Sequence, residues 1–353
     1  MKKYSSIVGL DLGDKASRFC VTDSEGRVLN EFSAKTTRAG LEEALEPWPG
    51  SRVALETGTH SLWAARALAR AGHSVVVADA RKVALIHANV KKCDALDART
   101  LARLVRLDVE LLSPVHVRSE QSQGHLELLK ARDTLVRVRA TLINHVRGAV
   151  KSAGDRLVKC SAAAFAHRVK QQVPADLEEA LCPLFDQIES LTARIKDYDG
   201  KIGSVSSEHY PETQLLRGVA GIGPITSLAF VLTLEEPGRF KRGRQVGAYL
   251  GLTPRRDQSG ERDPQLRITK AGNGFLRRLL VSAAQYVLGP FGPDTALRRW
   301  GLAKAGGGKR SKRVAVVAVA RKLAVLLHTL WVNGMVYEAF PNGEGSAPIP
   351  AVA

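Results

Sequence analysis

Short apolar segments alternate with helix-type periodicity along the first hundred residues. Three strand patterns come first and a helix pattern covers 38–46. A fourth strand pattern, a second helix pattern over 61–72 and a fifth strand pattern follow, and helix-forming sequence then continues to about residue 107. The five predicted strands are SIVGLDLG, RFCVTD, RVLNEFS, RVALE and HSVVVAD. Ser24-Glu25-Gly26 predicts a hairpin turn between the second and third strands.

The resulting order of elements, βββαβαβα, is that of the ribonuclease H-like fold. In that fold three antiparallel strands form a meander, and later units add parallel strands. The first and fourth strands are neighbours in this arrangement. The sequence therefore predicts an α/β N-terminal domain in which the ends of these two strands meet.

The central part of the chain loses its strand signals after residue 119. Two segments instead carry apolar residues at alternating spacings of three and four, which is typical of a coiled coil. These segments run from Leu128 to Ala149 and from Leu177 to Ile202. They predict a long antiparallel helix pair that projects or dimerises, and an ordinary helical domain is the alternative. Pro183 predicts a kink or a new helix start.

The C-terminal part is predicted to be mostly helical. A basic, glycine-rich loop is expected at 305–313 and an apolar helix at 314–332, and the Pro/Gly/Ala-rich tail is expected to be disordered. The predicted domains are 1–112, a helical segment 113–205, a C-terminal domain 212–340 and the tail 341–353.

Composition favours a soluble, cytoplasmic protein. Apolar residues make up 44% of 353 residues, and no apolar run reaches the roughly 18 residues of a membrane span. The most apolar stretch, 314–327, contains Arg321 and Lys322. The four cysteines lie far apart without a CxxC pair, so neither a zinc site nor a disulfide framework is expected.

The positive charge is concentrated in one region. Net charge is +17, and the segment from Arg239 to Lys322 holds 20 Lys/Arg against 4 Asp/Glu. The rest of the chain is close to neutral. Such asymmetry indicates a polyanionic partner. The basic residues form no single amphipathic stripe, which favours nucleic acid over a membrane surface.

Four carboxylates are the candidate catalytic and metal-ligating groups. Asp11 lies in an apolar strand, Glu56 ends the fourth strand, and Asp94 and Asp97 share one face of a predicted helix. If this helix crosses the sheet, all four converge and can hold Mg²⁺ or Mn²⁺ for phosphodiester chemistry. Alternatively, the aspartate pair is a solvated face beside basic residues. An ATPase of the related fold that binds phosphate through DxG hairpins is another alternative. Such an ATPase needs a second DxG hairpin, and the sequence contains no second hairpin of this kind.

Two C-terminal motifs suggest contact with phosphates. Gly221 and Gly223 interrupt two apolar helical arms in LLRGVAGIGPITSL, as in a helix–hairpin–helix that contacts the DNA backbone. Downstream, a polar loop contains Ser259 among arginines. Ser259 is either a simple turn former or a nucleophile next to phosphate-binding guanidinium groups. The candidate nucleic-acid contacts are Gly221, Gly223, Arg255, Arg256, Arg262, Lys270, Arg277 and Arg278.

The combination of VGLDLG, ALETG, KCDALDAR, GIGP, LGLTP, QSG and ITKAGNGFLRRLL resembles the transposases of the insertion sequence 110 family, related to the Piv-type DNA invertases. The resemblance implies a RuvC-like domain with a DEDD tetrad at Asp11, Glu56, Asp94 and Asp97, and a C-terminal transposase domain with Ser259 as covalent nucleophile. It also implies donor and target DNA, a structured bridge RNA, and a dimer or tetramer with a composite active site. Gln258 and Ala271 depart from the family pattern, where a second serine and a basic residue are common.

Three functions are compatible with these observations. The first is a DNA recombinase that uses Mg²⁺ and Ser259, in the nucleoid-associated cytoplasm. The second is a metal-dependent, structure-selective nuclease of the RuvC type without a covalent intermediate. The third is a basic nucleic-acid-packaging protein without catalysis. Formation of a DNA–protein adduct separates the first function from the second, and dependence on Glu56 separates both from the third.

Overall fold

The computed structural model describes residues 4–83, 94–260, 262–264, 266–306 and 308–340. The chain divides into two compact units, residues 1–119 and 120–353. The predicted disordered tail, 341–353, and Cys93 lie outside the described residues. The finer division at 112, 205 and 212 stays a prediction.

The first unit combines five strands with three helices among its described residues. The strands are β1 Ser6–Asp11, β2 Ala16–Asp23, β3 Val28–Lys35, β4 Arg52–Glu56 and β5 Ser74–Ala78. The helices are α1 Arg38–Leu45, α2 Ser61–Arg70 and α3 Asp94–Leu107, followed by a short 3-10 helix, Val109–Leu112.

The sheet has the predicted topology. Its strand order is β3-β2-β1-β4-β5. β2 is antiparallel to both of its neighbours, β1 and β3, whereas β4 and β5 run parallel to β1. Gly26 adopts φ +90° in the turn between β2 and β3, a conformation that glycine tolerates without steric cost. The mixed α/β architecture is consistent with a ribonuclease H-like fold.

Each face of the sheet has its own apolar core. Val8, Leu10, Val53 and Leu55 are buried on the face covered by α1 and α2. Ile7, Ala54 and Ala78 pack on the opposite face, with Leu101 and Leu104 of α3. This alternation follows from the period of two along a strand. Both faces of β1 and β4 are therefore covered, which explains why these strands are apolar throughout.

The second unit is helical in its described part. Its helices are α4 Glu120–Ser152, α5 Phe165–Val169, α6 Ala175–His209, α7 Glu212–Arg217, α8 Pro224–Leu234, α9 Arg244–Tyr249, α10 Gly274–Leu288, α11 Ala296–Ala305 and α12 Lys309–Asn333. Two 3-10 helices, Lys170–Gln172 and Pro237–Arg239, complete the order.

Helices α4 and α6 form the predicted antiparallel pair. Arg132 contacts Asp199 and Arg139 contacts Thr192, so positions advancing along α4 meet positions receding along α6. Pro183 was expected to kink the helix or to mark a new helix start, and the second expectation is wrong, because α6 continues from Ala175 through Pro183 to His209. The kink stays a prediction. The exposed position of Glu179, four residues earlier, allows its carbonyl to be solvated where the proline lacks an N–H.

The C-terminal core forms around α8, α10 and α12. Residues Thr226 to Leu234 of α8 are all buried, and α12 contributes Val319, Leu323 and Leu327 to the same core. By length and composition α12 could span a membrane, but this buried stripe is what a core helix requires. The helix begins at Lys309, so the expected basic loop is partly wrong: its lysines and arginines, which are good helix formers, occupy the first turns.

Candidate active site and nucleic-acid interface

Asp11 and Glu56 occupy equivalent places at the ends of two adjacent parallel strands. β1 ends at Asp11 and β4 ends at Glu56, and the register pairs Leu10 with Leu55. Side chains two residues apart in a strand share a face. Asp11 therefore lies on the face of Gly9, and Glu56 on the face of Ala54, which α3 covers. Both carboxylates are partly buried.

Helix α3 crosses β1 in unusually close contact. A Cβ built on Gly9 would overlap the carbonyl oxygen of Ala98 and come within 2.6 Å of the Ala102 nitrogen. Only glycine permits this approach of a helix to a strand. Ala98 thus lies over Gly9, whereas Leu101 and its neighbours pack further back along the sheet.

This direction places the first turn of α3 towards the strand ends. Asp94 and Asp97 both belong to that turn, with Asp97 only 7% exposed and Asp94 exposed. The positive end of the helix dipole favours carboxylates in a first turn. Asp94 and Asp97 therefore lie in the part of α3 that is directed towards the ends of β1 and β4, and the convergence of all four carboxylates stays a prediction.

An ion pair anchors α3 across the sheet. Arg99 Nε and Nη2 donate to Glu31 Oε1 and Oε2 of β3, at 2.9 and 2.8 Å. This bidentate contact lowers the pKa of Glu31 and raises the pKa of Arg99. Burial beneath α3, with a contribution from Glu31, raises the pKa of the Cys20 thiol to about 11. Arg99 thus fixes the helix two residues from Asp97.

The donor set suits a hard cation, because every predicted ligand is a carboxylate. Among the described residues, however, no three Asp, Glu, His or Cys side chains form a cluster that could hold a metal ion. Binding of Mg²⁺ requires ligand oxygens at about 2.1 Å from one point. The metal site and its ligands stay a prediction.

Asp79 is a further buried carboxylate, outside the four predicted ligands. It follows β5 directly and is 8% exposed. Its Oδ1 accepts hydrogen bonds from the backbone N–H and Nε of Arg81, and Lys82 lies 4.0 Å from Oδ2. The signal was the same as for Glu56, an acid at the end of a buried strand. These contacts give Asp79 a role in closing its own turn.

Ser259 lies at the exposed tip of a short two-stranded ribbon. Backbone bonds join Thr269 to Thr253, Arg255 to Arg267, and Ser259 to Arg262 in both directions. Gly260 adopts φ +55° in the tip. The loop therefore presents the Ser259 side chain at a tight turn. This position is compatible with both predicted roles, turn former and nucleophile.

The predicted basic contacts fall into two groups. Arg255, Arg256, Arg262 and Lys270 are exposed on or beside the ribbon, and Arg256 lies 3.7 Å from Asp263. Two other arginines have partners within the unit. Arg277 Nη1 donates to the carbonyl oxygens of Leu250 and Ala271, and Arg278 Nη2 donates to Asp133 at 2.8 Å.

Arg277 therefore supports the base of the ribbon, where the chain segments around Gly251 and Gly272 approach each other closely. Its predicted role in nucleic-acid binding has no support from this geometry. The sequence pattern carries no signal for this supporting role, because the two carbonyls lie 27 and 6 residues away along the chain.

The Gly221–Gly223 segment forms a turn between α7 and α8. Gly221 has φ +81°, and Gly223 precedes the first residue of α8. The turn packs on α10, where a Cβ at Gly221 would lie 2.9 Å from the Ala283 carbonyl oxygen. A surface groove of about 520 Å³ follows the turn, and its lining includes Arg217, Ser282 and Tyr286. The helix–hairpin–helix assignment stays a prediction.

Known proteins resemble the chain over nearly its whole length. The family described as "Transposase IS116/IS110/IS902 family" matches residues 213–297, and the DEDD-type transposase family of IS110 matches residues 8–154. A "Probable family 20 transposase" of Pseudomonas aeruginosa is 30% identical over 336 residues, covering 92% of this chain and 96% of that protein. The "Transposase for insertion sequence element IS1111A" of Coxiella burnetii is 25% identical over 341 residues, covering 93% and 90%.

These matches include the strands and helix that bear the four carboxylates and the segment that bears the ribbon. The family suggested by the sequence motifs is thereby confirmed. The chain belongs to the IS110 family of DEDD transposases, which are enzymes that cut and rejoin DNA.

Proposed function

We propose that this transposase breaks and joins DNA strands with a divalent-metal site and a serine nucleophile. Asp11, Glu56, Asp94 and Asp97 would hold Mg²⁺ or Mn²⁺, and Ser259 would attack the scissile phosphate. The observation that carries the proposal is the arrangement of β1, β4 and α3. β1 and β4 end side by side, and the close contact of Gly9 with Ala98 directs the first turn of α3 towards these strand ends, which supports the proposal.

The covalent step conserves a phosphodiester bond. The Ser259 hydroxyl loses its proton to a nearby base, and its oxygen forms a bond to phosphorus while the bond from phosphorus to the deoxyribose oxygen breaks. That oxygen takes up a proton as it leaves. The bound cation would lower the charge on the phosphate oxygens. The exposed arginines of the ribbon would orient the phosphate and stabilise the transition state.

The proposal also includes a structured guide RNA and an oligomer, both implied by the family resemblance. Lys130, Arg137 and Lys151 of α4 are exposed and would contact such an RNA, which would compete with Glu127 for Lys130 and with Asp133 for Arg137. Sequencing of RNA that co-purifies with the protein should give one discrete species. Recovery of random host fragments alone would contradict RNA guidance. As a transposase the protein is expected to be soluble, and we propose a nucleoid-associated location.

The decisive experiment is to trap the covalent intermediate. A labelled DNA substrate is incubated with protein and Mg²⁺, denatured, and analysed for a DNA–peptide adduct by mass spectrometry. We expect the adduct on Ser259, its loss in Ser259→Ala and on chelation of the metal, and its retention in the adjacent control Gln258→Ala. Strand cleavage without any adduct would instead favour the metal-dependent nuclease.

A further inference from the structure

Phe291 is an unusually exposed aromatic residue in the C-terminal unit. It is 84% exposed, the highest value among the exposed large apolar side chains of the described residues. It lies in the loop between α10 and α11, in the sequence Gly289-Pro290-Phe291-Gly292-Pro293. Full exposure of a phenylalanine forgoes the burial that normally stabilises this side chain, so its position needs an explanation.

The loop that carries Phe291 is tightly fixed. Arg298 Nη1 donates to the carbonyl oxygens of Val287 and Gly289, the latter at 2.6 Å. A Cβ at Gly292 would lie 2.7 Å from the Tyr286 carbonyl oxygen, so the loop folds directly back onto α10. The two prolines restrict the backbone further. Phe291 is therefore held out into solvent by a stiff support.

The neighbouring surface is the groove along the Gly221–Gly223 turn. Tyr286 lines this groove and is 47% exposed. A Cβ at Gly221 would lie 3.2 Å from Tyr286 Cδ1, whereas the Gly292 loop approaches the Tyr286 carbonyl. The side chain and the backbone of one residue thus connect the groove to the Phe291 loop. Exposed Arg217 and Ser282 supply polar groups to the same groove.

The charge around the loop favours an anionic partner. From residue 279 to 304 the sequence contains one acid, Asp294, and Arg299 binds it at 2.7 Å. This segment lies within the strongly basic part of the chain. An exposed aromatic ring near a groove that Arg217 lines suits single-stranded nucleic acid, because bases stack on rings and phosphates need cations.

We propose that Phe291 is a stacking residue that binds a base displaced from the DNA helix. The DNA backbone runs along the groove at Arg217 and Gly221–Gly223, and the ring of Phe291 contacts an unpaired base next to it. Part of this inference rests on the proposed backbone contact of the Gly221–Gly223 turn. Its consequence is that the enzyme prefers DNA with locally unpaired bases over intact duplex.

The test compares binding of the full-length protein to two DNA duplexes, one intact and one with a short unpaired bubble that contains 2-aminopurine. Wild-type protein should bind the bubble more tightly and quench its fluorescence through stacking. Phe291→Ala should weaken bubble binding by roughly 5- to 100-fold, the range for loss of one stacked base. The intact duplex should be bound as before, and Phe291→Trp should restore both signals.

Controls separate this inference from the proposed function. Val336→Ala removes another apolar side chain, which is 75% exposed, and should leave the affinity for both duplexes unchanged. Arg217→Ala should weaken binding to both duplexes by the same factor. Unchanged binding in this variant would contradict the proposed backbone contact but not the role of Phe291. Ser259→Ala should keep the preference for the bubble. Three results for Phe291→Ala would overturn the role of Phe291. They are unchanged binding of the bubble duplex, an equal loss of affinity for both duplexes, and a change in oligomeric state without a change in preference for the bubble.

Discussion

The two regions to which we assign the chemistry of this transposase are built in opposite ways. The carboxylates of the first unit lie on strands and a helix that pack tightly, with no room for a methyl group between Gly9 and Ala98. Ser259 lies at the exposed tip of a ribbon joined by a few backbone bonds. Packing determines the backbone positions of the first region, whereas the second has few buried contacts to restrict it. Such a tip is free to adjust to a partner.

The ion pairs in the two regions show the same contrast. Arg99 and Glu31 form two short hydrogen bonds with side chains that are 36% and 22% exposed. Arg256 and Asp263 approach to only 3.7 Å, and their side chains are 71% and 53% exposed. Water screens the second pair much more than the first. The contrast predicts which substitutions act through the fold and which act through chemistry alone.

The largest effect is expected from Asp11→Asn. Loss of one carboxylate from a magnesium site should lower the cleavage rate on the order of 10³-fold, because several kcal/mol of charge stabilisation are lost. The thermal midpoint should be recorded beside the rate, because it separates a loss of chemistry from a loss of folding. Gel-based cleavage assays and calorimetry would measure both. A variant that cleaves normally would contradict the metal-site assignment.

The same variant can test whether two subunits share an active site. If one subunit provides the carboxylates and another provides Ser259, mixtures of Asp11→Asn and Ser259→Ala should regain part of the lost activity. Each variant alone should remain inactive. No recovery in a mixture shown to exchange subunits would contradict the composite site.

Gly9→Val should have the next largest effect. Its side chain would overlap the Ala98 backbone, which cannot move as a flexible side chain can, and overpacking of this kind costs about 1–3 kcal/mol. Denaturant unfolding should show this loss, and cleavage should fall because α3 moves away from the strand ends. Gly58→Ala is the matched control, since nothing lies within 4 Å of its Cβ position. Unchanged stability in Gly9→Val would contradict the close helix contact.

Glu31→Gln should destabilise the fold by about 1 kcal/mol, whereas Asp263→Asn should change it by less than ~0.5 kcal/mol. The pKa of Glu31 is lowered in the folded state. Its contribution is therefore fully present above the ordinary glutamate pKa of about 4.3 and is lost as pH falls through the lower folded value. Denaturant titrations from pH 7 down to pH 3 should show the wild-type advantage shrinking. An advantage that grows in acid would contradict this ion pair.

The smallest effect concerns the reactivity of Cys20, which reports whether α3 lifts from the sheet. Cys20 is buried with Ala98 and Ala102, and its pKa of about 11 keeps the thiol protonated near pH 8. It should react with thiol reagents far more slowly than the partly exposed Cys160. Peptide mass spectrometry would compare the two sites. Gly9→Val should accelerate labelling at Cys20 only, and equal wild-type rates would contradict tight packing of α3.

The sequence predicted the sheet because its strands carry buried apolar runs that the turn residues delimit clearly. β4 was predicted at its observed bounds, and the neighbours β1 and β4 followed from the order of elements. The positions of Asp11 and Glu56 then followed from topology. The antiparallel pair was predicted because a heptad pattern encodes both the contact face and its length.

Other features depend on contacts that sequence patterns do not encode. The close approach at Gly9 requires knowledge of which helix residue lies above it. Arg277 and Arg278 are adjacent and carry the same local sequence signal. Arg277 nevertheless donates to backbone carbonyls, whereas Arg278 pairs with Asp133. Phe291 was overlooked because exposure, unlike periodicity, is a property of the folded chain. The continuity of α6 through Pro183 depends on whether solvent reaches the Glu179 carbonyl, which has no proline N–H to accept from.

The α4–α6 pair has a mechanical consequence. At 1.5 Å per residue, the 33 residues of α4 span about 50 Å. One apolar block, around Leu126 and Ile202, joins this rod to the C-terminal core, and a separate block lies around Val146 and Phe185. Between the blocks, the Arg132–Asp199 ion pair, the hydrogen bond from Arg139 to Thr192 and one buried isoleucine, Ile195, join the helices. Bending of the α4–α6 pair would therefore concentrate in this polar stretch between the two apolar blocks. Because salt screens the ion pair, the pair of helices should bend more easily as salt concentration rises.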